Sequence, residues 1–129
     1  LENTLVVFTA DQGFSMGEHG FRTKLAPYDA NFRSPLIVSR PGTIPQGKVC
    51  TKPVGGQDLV VTFFSHTGFE LPWPMHGRDL SPLLADPARA DWNHPLLYEH
   101  TGHDFGSDVA KVVKEDNKHA EHSNVPWYV

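Results

Sequence analysis

A single cysteine, Cys50, stands in the 129 residues, so no intrachain disulfide can staple the fold, and no Cys-x-x-Cys zinc or redox motif exists. One thiol leaves the redox compartment open. Long apolar runs are missing too: stretches such as residues 59–64 fall far short of the roughly 18 residues of a membrane-spanning helix, which excludes a protein of that kind. The opening residues carry no signal-peptide pattern. Clustered positive charge is also lacking. With a formal net charge of -4 and no basic run, the chain has no surface suited to nucleic-acid phosphates or anionic lipid. A small anionic substrate, which needs only a few positive groups, stays compatible. Repeats, low-complexity tracts and a Gly-x-Ser-x-Gly nucleophile elbow are absent, and Ser65, His66 and Ser123 suggest no Ser-His-Asp set.

What is present suits one globular domain: 39% hydrophobic and 20% charged residues. Gly and Pro, 11 of each, make about 17% of the chain against a usual ~12%, which predicts many loops and turns. Eight histidines are a further excess. The chain enters an apolar run almost at once and stops in Val125-Pro126-Trp127-Tyr128-Val129. Domains seldom start and finish inside core elements, so a fragment of a longer protein is expected.

Residues 4–9 are β-branched and aromatic without polar alternation, which predicts a strand covered on both faces in a parallel sheet. Residues 14–24 read as a polar loop beyond its carboxyl end, and 27–32 as a short helix with proline in its first turn. Residues 36–39 predict a second buried strand, and 43–56 an aperiodic connection holding Cys50. Asp58 is the expected N-cap of a helix to Thr67, with Val60, Phe63 and Phe64 on its core face and Gly68 as terminator. A Pro-rich loop at 70–77, a short capped helix at 81–84, a third strand at 95–99 and a helix at about 107–121 follow. Strands alternating with short helices predict an α/β fold with a mainly parallel sheet flanked by helices.

In open α/β sheets, ligands bind beyond the carboxyl ends of strands, where Asp11 and Gln12 fall. A carboxylate and an amide oxygen are hard donors suited to calcium or magnesium, and Gly13 lets the backbone turn tightly. The plain alternative is an aspartate capping the next turn.

The run from Thr9 to Lys24, with Asp11-Gln12-Gly13 and Gly17-Glu18-His19-Gly20, resembles a signature region of the sulfatases in the alkaline-phosphatase-like superfamily. Three further blocks continue the resemblance in order: Arg33-Ser34-Pro35-Leu36-Ile37-Val38 with Pro41-Gly42, then residues 57–68, then 77–84. It covers about the first 100 residues, and four ordered blocks are more specific than any one motif. It implies an alkaline-phosphatase-like α/β fold, here an incomplete sulfatase catalytic domain over 1–129, with a core portion at 1–106. Residues 107–129 would then hold a helix and the entry to a carboxyl-side sheet.

The resemblance implies calcium ligation by Asp11 and Gln12, and sulfate contact by Lys24, which stabilises the ester oxygen as the sulfur–oxygen bond breaks. Gln12 departs from the commoner Asn or His but keeps an oxygen donor. His19 and Arg22, on the same loop, are candidate substrate contacts, whereas Arg33 is expected to fasten the following strand by hydrogen bonds. The family's nucleophile is a formylglycine made from Cys or Ser in a Cys-x-Pro-Ser-Arg type sequence. Val49-Cys50-Thr51-Lys52-Pro53 lacks that pattern, so the nucleophile and the remaining metal ligands are expected upstream, and this chain alone should be inactive. The implied partner is a sulfated small molecule or carbohydrate, and the implied location periplasmic, secreted or lysosomal.

Two rivals stand beside a sulfuric ester hydrolase. One is a phosphatase, phosphodiesterase or phosphonate hydrolase of the same superfamily with two transition metals. The other is a non-catalytic sulfatase-like protein, or a metal-binding module built around His100, His103, His119 and His122. The last two lie three residues apart, a spacing that can bind a transition metal, although the His-Glu-x-x-His pattern of zinc proteases is missing.

Overall fold

The computed structural model describes residues 1–24, 27–88, 91–100 and 127–128. The chain divides into two compact units, one of Leu1–Phe8 with Leu36–Leu96, the other of Thr9–Pro35 with Leu97–Val129.

The first unit pairs strand β1, Val6–Thr9, with strand β4, Leu36–Ser39. Strand β4 has the bounds its sequence predicts, because Pro35 and Pro41 flank an unbroken apolar run. The expectation of burial on both faces fails. Val7, Leu36 and Val38 are half-buried, whereas Val6, Phe8 and Ile37 are 45%, 61% and 60% exposed. Side chains alternate between the two faces of a strand, and within the described residues this narrow pair has only one face covered.

Helix α2 spans Gly56–Thr67 and ends at Gly68, whose φ of 74° is the left-handed conformation that glycine adopts without a Cβ clash. The cap differs from the expected one. Gly55 is the N-cap and Asp58 sits three residues later, its carboxylate accepting the Gly55 N–H at 2.8 Å and the Arg78 N–H at 2.8 Å. The buried face differs as well: Val60 and Phe63 are exposed, and Asp58 and Thr62 are buried. Hydrogen bonds decide this orientation. The Thr62 hydroxyl donates to the Asp58 carbonyl at 2.6 Å and accepts the Leu80 N–H at 2.9 Å, so positions 58 and 62, one helical turn apart, face the 78–80 segment.

Helix α3, Ser81–Ala85, begins below Asp79, whose Oδ1 accepts both the Ser81 N–H at 2.9 Å and the Ser81 hydroxyl at 2.6 Å. It supplies Leu83 to a small core of Leu80, Leu83 and Trp92, against which Val54, Leu59 and Leu84 pack. The Trp92 indole N–H reaches the Pro53 carbonyl at 3.3 Å, tying the 43–56 connection to that core.

In the second unit the expected loop at 14–24 is a hairpin. Strand β2, Ser15–Met16, runs antiparallel to strand β3, Arg22–Thr23, around a 3-10 turn at Glu18–Gly20. Helix α1, Asp29–Phe32, follows, and Phe32 packs on Tyr98 with ring centroids 4.2 Å apart. The third strand is shorter and later than expected: β5 is Glu99–His100, antiparallel to β6, Trp127–Tyr128. Pro95 has no N–H for a ladder. The helix expected at 107–121 lies outside the described residues. Among the described residues, two of three strand pairs are thus antiparallel ribbons that the expected, mainly parallel sheet does not include.

Candidate functional site

Asp11 follows β1 by two residues and Lys24 follows β3 by one. The hairpin returns the chain so that the Lys24 ammonium donates to Asp11 Oδ2. The two side chains differ in exposure, 36% for Lys24 and 76% for Asp11. The lysine side chain is therefore the more sheltered of the two, and the aspartate is largely open to solvent. The hydrogen bond from Lys24, followed by the Gln12 N–H, holds the Asp11 carboxyl below its ordinary range.

Gly13 explains how the turn is made. A Cβ built there would collide with the Ala30 carbonyl oxygen, so only glycine allows this turn to pass so close to α1. Its N–H donates to the Asn31 carbonyl at 2.9 Å. Thr23, immediately before the lysine, has a φ of 65°, a conformation that a β-branched residue adopts only under constraint.

His19 also has a left-handed φ, 54°, in the 3-10 turn, and its exposed ring stacks on Tyr28 with centroids 3.9 Å apart and planes 14° apart. Glu18 closes the turn by accepting the Met16 N–H at 2.6 Å; its own backbone N–H and that of Met16 keep its carboxyl below the usual range. Arg22 is exposed on β3 opposite Met16 and forms no ion pair among the described residues. Arg33 does not fasten β4 by its side chain. It reaches back one helical turn to Asp29 at 3.5 Å, an exposed pair that contributes little.

The structure thus joins Asp11 and Lys24 directly and puts Gln12, His19 and Arg22 on the same short stretch of chain. Asp11 and Gln12 supply hard oxygen donors of the type calcium takes, but two donors are fewer than the six to eight it usually binds. Among the described residues no cluster of three or more His, Cys, Asp or Glu forms a complete metal site. Cys50 is an exposed free thiol. His103, His119 and His122 lie outside the described residues, and His100 is in β5. Sequence reasoning missed Tyr28 and Asn31. A ring two residues before a short helix's alanine, or one buried amide within that helix, leaves no periodic signal.

Residues 17–119, which include Lys24, match the family model described as N-sulphoglucosamine sulphohydrolase, C-terminal. An N-acetylglucosamine-6-O-sulfatase of Bacteroides thetaiotaomicron is 35% identical over 102 residues, covering 78% of this chain and 18% of that protein. An extracellular sulfatase SULF-1 homolog of Drosophila melanogaster is 35% identical over 106 residues, covering 79% of this chain and 9% of the relative. A solved protein in complex with its substrate, D-glucosamine-2-N,6-O-disulfate, superposes with a TM-score of 0.76 at 30% identity, covering 98% of this chain and 23% of that one. A phosphonate monoester hydrolase from Silicibacter pomeroyi gives a TM-score of 0.68 at 36% identity, covering 78% and 20%. The chain spans less than a quarter of the length of each of these relatives. Its architecture is that of an alkaline-phosphatase-like hydrolase, and the chain belongs to the sulfatase family, in the region described as N-sulphoglucosamine sulphohydrolase, C-terminal.

Proposed function

We propose that this chain forms part of the catalytic domain of a calcium-dependent sulfuric ester hydrolase and contributes Asp11, Gln12 and Lys24 to its site. The observation that carries the reading is the Lys24–Asp11 ion pair at the end of β1. In hydrolysis of a sulfate monoester an oxygen nucleophile, supplied from outside this chain, bonds to sulfur as the bond between sulfur and the ester oxygen breaks. The bonding electron pair goes to that oxygen, which leaves as an alcohol after taking a proton. Lys24 offers an N–H donor and a positive charge to the sulfate and its leaving oxygen, where negative charge grows. Asp11 aims the lysine through its Oδ2 and keeps Oδ1 for a cation. Asp11 and Gln12 would hold a calcium ion jointly with ligands from the rest of the protein, and the ion would supply positive charge against the sulfate oxygens. The nucleophile lies outside this chain, because Cys50 is exposed and in the wrong sequence context.

The substrate class we assign is a sulfated carbohydrate, specifically a sulfated glucosamine. Support comes from the relatives whose names or bound substrates are of that kind. His19, stacked on Tyr28, and Arg22 are the positions from which this chain would contact it. We assign an exported or lysosomal location by the same kinship, which includes an extracellular relative. The mainly parallel sheet belongs to the complete domain in this reading, with β1 and β4 as two of its strands.

The resemblance to a phosphonate monoester hydrolase supports a second reading, with a phosphonate or phosphate ester as substrate. Turnover by the full-length protein of glucosamine 6-O-sulfate, set beside a phenyl phosphonate ester, separates the two. The sulfatase reading expects the sulfate ester to be preferred and one calcium to be bound. Preference for the phosphonate with two transition metals bound would replace it.

A further inference from the structure

Asn31 is fully buried, and it holds both arms of the candidate site. Its main-chain carbonyl accepts the Gly13 N–H at 2.9 Å. Its side-chain Oδ1 accepts twice from Ser15, from the N–H at 3.0 Å and from the hydroxyl at 2.8 Å. An amide oxygen has two lone pairs, so both bonds can form at once. Ser15 is itself buried, where hydrogen bonds are stronger than in water and an unpaired donor is costly.

Each bond leads to one member of the ion pair. Gly13 lies two residues after Asp11, and its N–H ties the turn that carries Asp11 to α1. Ser15 stands in register with Thr23 across the β2–β3 ribbon, and Lys24 is the next residue. Thr23 is held at a φ of 65°, a strained backbone state that persists only where its surroundings over-determine it. The ribbon supplies that constraint, and the ribbon's inner residue is bonded to Asn31. The ribbon that carries Lys24 therefore depends on the Asn31 side chain, and the turn after Asp11 on the Asn31 main chain, so one buried residue serves both members of the pair.

We propose that Asn31 is a positioning residue of the sulfate-ester site, setting the Lys24 ammonium against Asp11 through Ser15 and Gly13. This rests on the sulfatase reading given above. Displacing a reacting group by about an ångström costs on the order of a hundredfold in rate, whereas ground-state contacts made elsewhere on the substrate persist. The signature of lost positioning is thus a fall in kcat with little change in KM.

The test uses the full-length enzyme with glucosamine 6-O-sulfate, each variant first shown folded by near-UV circular dichroism. Asn31→Leu removes the acceptor and should lower kcat about tenfold or more, with KM within about threefold of wild type. Wild-type kcat in a folded Asn31→Leu variant overturns the proposal. If Asn31→Leu does not fold, Ser15→Ala removes one of the two bonds and carries the test: a severalfold fall in kcat supports the role and an unchanged kcat overturns it. Lys24→Ala separates the two layers. If it retains full turnover the sulfatase site assignment itself falls, and the positioning role with it; if it is inactive while Asn31→Leu is not, only the positioning role falls.

Discussion

Lys24 donates to Asp11 Oδ2 across thirteen residues of chain, and a two-stranded ribbon is what brings them together. The lysine is the more sheltered of the two, and the aspartate is largely open to solvent. A planar guanidinium would grip both carboxylate oxygens at once, whereas the ammonium takes only Oδ2. Lys24→Arg in the full-length enzyme is therefore expected to lose about tenfold or more of kcat despite keeping its charge. Steady-state kinetics on a sulfate ester checks this.

Gly13→Ala is expected to destabilise the protein by about 1–3 kcal/mol or more, since overpacking against rigid backbone cannot relax by a side-chain rotation. The clash is with the Ala30 carbonyl. The shift in the urea unfolding midpoint measures the cost, and activity should fall with it because the turn carries Asp11.

A buried hydroxyl organises the other unit. Thr62→Val keeps the shape of the side chain but leaves the Leu80 N–H without its acceptor, and an unsatisfied buried donor costs about 1–3 kcal/mol. Denaturant unfolding of wild type and variant gives that difference. Ser65→Ala removes only one of the bonds to Asp79, at an exposed position, and should cost less.

Asp79 predicts a dependence on pH. Burial raises its pKa, but hydrogen bonds from the Ser81 hydroxyl, the Ser81 N–H and the Ser65 hydroxyl outweigh that, and the net shift is downward. The unfolded carboxyl therefore binds its proton at a higher pH than the folded one. Stability from this group is present above the ordinary value of 3.8 and is lost as pH falls through the lower folded value. Asp79→Asn should flatten this part of the acid limb of an unfolding-midpoint profile.

Local grammar made several elements legible. The prolines around residues 36–39 bounded β4 correctly, and Gly68 ended α2 where its missing side chain permits a left-handed φ. The motif from Asp11 to Lys24 named the ion pair's members but gave no account of how they meet, since a two-residue ribbon has no periodicity to read. The buried face of α2 was illegible for a different reason. Apolar periodicity points to Val60, Phe63 and Phe64, whereas the helix is oriented by Asp58 and Thr62 bonding to main-chain groups of residues 78–80, polar contacts that hydrophobicity cannot register. Asn31 belongs to the same class: a polar residue whose importance comes from its burial.

The most direct test of the account is kcat/KM for glucosamine 6-O-sulfate in the full-length protein, wild type against Lys24→Ala. Removing a donor aimed at developing negative charge should lower it about 10²–10³-fold. An unchanged kcat/KM in the folded variant would contradict the placement of Lys24, and of its partner Asp11, in the sulfate-ester site.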